Sequence, residues 1–218
     1  MTRKRKPVRI AAGRACGISL EANRLPSRYG FGTLGEGASH WIDFLHEAGQ
    51  QYWQVPGLPA VQQWEGESLS CFAINPQIID FDMLVKDGLL SAADAKKCGY
   101  GGGEKLSKAE LERGRRLCLT KAFESFTPDE GYMRYCGQTS DWLTDYALFL
   151  LIKNEQKGAP FWQWPDGLRL RKKEALDAYK KEHRNEILYC FFEQYIARKQ
   201  WDALKKYANS KGISIIGA

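Results

Sequence analysis

The amino-acid sequence predicts an α/β fold that is mostly helical by content, and three observations predict it. An amphipathic stretch with a glycine stop, residues 34–49, runs directly into a short apolar segment that ends at Pro56. The middle of the chain carries apolar residues at helical spacing between breaks rich in Gly and Pro. A second short apolar run, residues 212–218, follows a long helical region.

In the first stretch, Trp41, Leu45 and Ala48 share one stripe that Ile42 and Phe44 widen, and Gly49 supplies the stop. The next residues, 50–56, suit a buried strand whose exit is a loop, with Trp53 in the core. Two prolines and two glycines between residues 56 and 68 exclude regular structure there. The apolar turn at 74–84 leads into the helical region, and the clearest break inside that region is the Gly-rich run at 97–107.

Beyond that break, Leu111, Leu117, Leu119, Ala122, Phe123 and Phe126 recur at helical spacing, and Ser107 with Glu110 has the pattern of a capping box. A second helix starts at Ser140 or Asp141, buries Leu143, Tyr146, Ala147 and Leu150, and ends at Gly158. Trp162 and Trp164 flank an aromatic turn and are expected to pack under the neighbouring helix. Residues 171–208 read as one or two helices with Ile187, Phe191, Tyr195, Trp201, Leu204 and Tyr207 facing inward. The final run, from 212, reads as another strand.

With 218 residues and an apolar share of 44%, the chain can bury a real core. No apolar run approaches the roughly 20 residues of a membrane helix. The basic start lacks the apolar stretch of a signal peptide, so a cytoplasmic location is expected. The net charge of +6 is concentrated in Arg3, Lys4, Arg5, Lys6 and Arg9. That pattern reads as a solvated, disordered tail rather than a nucleic-acid or membrane patch. The six cysteines have no metal or redox spacing and read as buried or bystander thiols. His40, His46 and His183 have no ligand spacing either, so neither a metal nor a cofactor is expected.

Several blocks, in order, resemble the amylomaltase or disproportionating-enzyme family of 4-α-glucanotransferases. They are residues 24–35, the helix end and YWQV at 47–55, residues 75–90, DWLTDYALFLLIK at 141–153, GAPFWQWP at 158–165, EILYCFFEQY at 186–195 and the segment 200–217. The resemblance implies the amino-terminal part of a (β/α)8 barrel with a largely helical inserted subdomain. On that frame, residues 1–12 form the basic tail, 13–79 the first strand and helix with their loop, 80–209 the helical insertion, and 210–218 the start of the next barrel strand.

It also implies transfer of α-1,4-glucan segments between glucans or to glucose, with retention, by a pair of carboxyl groups. The family's motifs for those groups do not occur in the chain, so no catalytic residue is named and the chain is expected to be inactive alone. Two strands cannot close a barrel, so it is also expected to be marginally stable or to aggregate, with the helical part as its best-ordered portion. Partners implied are α-1,4-glucans and the carboxyl-terminal part of the barrel.

Where the family has a Tyr-containing glucan-binding loop, this chain is shorter and has no tyrosine. Trp64 is then the nearest stacking platform, with Glu65 and Ser68 as hydrogen-bonding candidates. The alternative for Trp64 is a loop cover against the helical region. Two other functions stay open: a non-catalytic glucan-binding remnant, and a basic-tailed nucleic-acid-binding protein.

Overall fold

The computed structural model describes residues 14–60, 68–98 and 107–217. The basic tail, Trp64, Glu65 and most of the Gly-rich break lie outside the described residues. Three short parallel strands, β1 (Gly17–Ser19), β2 (Tyr52–Val55) and β3 (Ser214–Gly217), form one sheet in the order β1-β2-β3. Trp53 stands opposite Ile18 on one side and Ile215 on the other. The two strands expected from sequence are present, and β1 is an addition to them. Its three residues are too few to show a period, and pairing with β2 defines it.

Helix α1 (Glu36–Glu47) joins β1 to β2, buries Ala38, Ile42 and Leu45, and gives way to Gly49 at φ +67°. Phe44 does not widen the buried stripe as expected. It is 52% exposed and stacks on Trp41, with centroids 5.4 Å apart. Trp53 is fully buried as expected, and its indole N–H donates to the Leu20 carbonyl at 2.9 Å.

Between β2 and β3 run α2 (Phe81–Lys86), α3 (Ala92–Cys98), α4 (Lys108–Glu124), α5 (Glu130–Gln138), α6 (Leu143–Glu155), α7 (Asp166–Arg169), α8 (Lys173–Glu182) and α9 (Arg184–Ser210). The capping box of α4 forms as expected from Ser107 and Glu110. Leu119 and Ala122 are buried, whereas Leu117 is 49% exposed; Arg115 and Cys118 take the inward positions instead. On α6 the buried side chains are Leu143, Tyr146, Ala147, Leu148 and Ile152, and Leu150 is only half-buried.

The long region resolves into two helices that meet at His183. Ile187, Trp201 and Leu204 are buried on α9 as expected, while Phe191, Tyr195 and Tyr207 are half-buried. Phe192, Ile196, Ala197 and Ala208 are the further apolar contacts that seat this 27-residue helix on the core. Cys16, Cys71, Cys136 and Cys190 are free, but Cys118 is disulfide-bonded, which corrects the reading of six unpaired thiols.

Candidate functional site

The excursion after β2 starts with a turn at Gly57, whose φ of +70° suits a residue without a side chain. It returns along itself. Pro59 and Ile74 form an antiparallel bridge, the Ala60 amide donates to the Ala73 carbonyl at 2.8 Å, and the Asn75 amide donates to the Leu58 carbonyl at 2.9 Å. A two-sided lip therefore stands at the carboxyl end of the central strand. Ser68 lies on its returning arm, exposed, with its hydroxyl donating to the Ser70 carbonyl at 3.0 Å. Trp64 and Glu65, the other two expected substrate-binding residues, lie outside the described residues. The Ser70 hydroxyl accepts from the amides of Phe72 and Ala73 at 3.1 and 3.2 Å, which fixes the turn below Ser68.

Two glutamines of α9 hold the base of the lip. Gln194 accepts from the Ile74 amide at 3.0 Å and donates to the Ile74 carbonyl at 2.9 Å. Gln200 does the same for Asp80, at 2.8 and 2.9 Å. Both glutamines are buried, and so are Ile74 and Asp80. Each side-chain amide thus satisfies one buried peptide group that no strand pairs.

Between those two anchors, Asn75 caps a turn of 3-10 helix by accepting from the Gln77 amide at 3.0 Å. Asp80 then accepts from the Met83 amide at 2.9 Å to cap α2, and its other oxygen accepts from the Thr33 hydroxyl at 2.6 Å. Arg115 is buried beside this segment. It donates to the Pro76 and Ile79 carbonyls at 3.0 and 3.3 Å and lies 4.2 Å from the Phe31 ring centroid and 4.8 Å from that of Phe81.

Burial lowers the Arg115 pKa to about 9 and pushes the Glu193 carboxyl up to about 7, the latter against the pull of Tyr189, Arg115 and Arg116. Gln194, Gln200 and Arg115 are the groups that position this segment. Sequence reading missed them because a Gln or Arg on an amphipathic helix has the same signature as a solvated face.

Trp164 packs inside as expected, with its ring 5.5 Å from Phe149 and its N–H donating to the Ala159 carbonyl at 2.9 Å. Trp162 does not, and is 64% exposed. No group of three or more His, Cys, Asp or Glu is placed to hold a metal among the described residues. Among the same residues no helix is long and apolar enough to cross a membrane.

The model of the 4-alpha-glucanotransferase family matches residues 20–218. Curated 4-alpha-glucanotransferases of Clostridium butyricum and Aquifex aeolicus are both 36% identical to this chain, over 205 and 208 residues that cover 91% and 94% of it. The chain spans 42% of the length of each. Amylomaltase from Streptococcus agalactiae, solved in complex with acarbose, superposes with a TM-score of 0.84 at 35% identity. That superposition covers 94% of this chain and 43% of the amylomaltase. Amylomaltase from Corynebacterium glutamicum has a TM-score of 0.62 at 15% identity over 92% of this chain and 29% of its own, a likeness of fold alone. With the sheet, the pinned lip and a match that runs over almost its whole length, the chain belongs to the 4-alpha-glucanotransferase family.

Proposed function

We propose that the chain forms the amino-terminal part of an amylomaltase-type enzyme that transfers α-1,4-glucan segments between glucans or to glucose. The carrying observation is the lip at the carboxyl end of β2, in a chain whose relatives are 4-alpha-glucanotransferases. In (β/α)8 barrels that end of the strands carries the active site. On this reading β1, β2 and β3 are adjacent strands of such a barrel, and the helices between β2 and β3 are its insertion. Trp64 would stack on a sugar ring, with Glu65 and Ser68 exchanging hydrogen bonds with its hydroxyl groups.

Retaining transfer requires two carboxyl groups about 5–5.5 Å apart. No residue of this chain is assigned to either role; on this reading both belong to barrel strands outside these 218 residues. What the chain supplies is one wall of the substrate cleft. A cytoplasmic location belongs to the same reading and is checked by cell fractionation.

The test is glucose release from maltotriose. The purified chain alone should release none, and the chain mixed with the carboxyl-terminal portion of the Clostridium butyricum relative should restore release. Disproportionation by the chain alone, free of host enzymes, would overturn the assignment of the chemistry to strands it lacks.

A further inference from the structure

Beside the lip, two recesses adjoin. The first, about 210 Å³, is lined by Ser70, Asp141, Trp142, Asp145, Tyr146 and Phe149 among others. The second, about 260 Å³, shares Asp145 and Phe149 with it and continues past Trp164 and Leu168 to Phe161 and Arg171. Asp145 and Phe149 thus stand between two neighbouring recesses, which together are termed the trough. It joins the lip directly, because Ser70 lines it and accepts the Ser68 hydrogen bond through its carbonyl.

The surface chemistry of the trough is specific. Aromatic rings are exposed at both ends. At one end Phe72, 66% exposed, lies nearly parallel to Trp142 with centroids 5.9 Å apart. At the other, Phe161 and Trp162 are 54% and 64% exposed and meet edge to face. Along the trough, Asp145 pairs with Arg171 at 2.6 Å, which neutralises the charge at its middle. Asp141 is exposed and makes no hydrogen bond or ion pair among the described residues, so its carboxylate is free to accept.

Flat apolar faces separated by acceptors and a neutralised ion pair suit a chain with C–H faces and many hydroxyl donors. An anionic ligand would meet the unpaired carboxylate of Asp141, while Arg171 is already held by Asp145 and Arg169 by Asp166. An apolar helix would bury Asp141 without a partner.

We propose that this trough binds consecutive glucose units of an α-glucan that runs on from the lip, with Phe72 and Trp142 as one stacking platform and Asp141 as a hydrogen-bond acceptor. The inference rests on the glucan reading above and extends it to the length of glucan engaged.

Titration calorimetry of the chain with maltoheptaose, together with migration through an amylose-containing gel, tests it. Phe72→Ala and Asp141→Ala should each weaken binding about five- to tenfold, the scale of one lost aromatic or polar contact. Leu117→Ala, on the exposed face of α4, should leave binding unchanged. Unaltered circular-dichroism melts would exclude unfolding as the cause.

Binding that is lost in Trp64→Ala but intact in Phe72→Ala and Asp141→Ala would overturn the trough and leave the glucan reading standing. Equal affinity for cellohexaose would also overturn the trough, because a surface that does not distinguish β- from α-linked chains is not an α-glucan site. No binding of maltoheptaose by the wild-type chain would also overturn the trough. The glucose-release experiment then decides the glucan reading separately.

Discussion

A methyl group added at Gly35 would fall 2.1 Å from the Asp80 carboxylate. That carboxylate caps α2 and accepts from Thr33, so it cannot move without losing both bonds. Gly35→Ala should therefore destabilise the fold by about 1–3 kcal/mol in urea denaturation. Gln200→Ala strands the Asp80 amide and carbonyl in a buried site, and a loss of about 2–4 kcal/mol is expected from the same measurement.

Glu193 gives a pH signature. Its carboxyl titrates near 7 in the fold against an ordinary 4.5, so the folded state holds a proton that the unfolded chain has released between those values. Stability should fall as pH rises through that window, by something on the order of 2 kcal/mol. Glu193→Gln should flatten the dependence, as followed by urea midpoints from pH 4.5 to 8.

At the scale of the element, Cys118 on α4 is closed off by its disulfide. Denatured, unreduced protein should yield no iodoacetamide adduct at Cys118 by peptide mass spectrometry, and reduction should expose it. Elements whose signals are local were legible: the Ser107–Glu110 box, the Gly49 stop, and the apolar runs of β2 and β3. Helix α5 was not. Its sequence, EGYMRYCGQ, contains two glycines and little helix preference, and it is held by Tyr132 and Tyr135 packing on Tyr195. Family resemblance alone singled out Ser68, which the structure places on the returning arm of the lip. Gln194, Gln200 and Arg115 act through partners far away in the chain, and one sequence carries no trace of such pairings.

For the whole molecule, no strand among the described residues pairs with the outer side of β3, where Ile216 is 46% exposed. An uncovered edge is a template for pairing with another copy. Ile216→Lys should lower light scattering of the concentrated chain while leaving its melting temperature within a degree or two of the parent.

The glutamine pair carries a consequence for evolution and engineering. Gln194 and Gln200 are six positions apart, as are Ile74 and Asp80, and six residues of helix advance about 9 Å while turning through about 240° beyond one full revolution. The stretch from 74 to 80 must coil obliquely around α9 like a thread on a bolt. Insertion or deletion of one residue in either partner would put the thread out of step, so length changes should not be tolerated within either stretch.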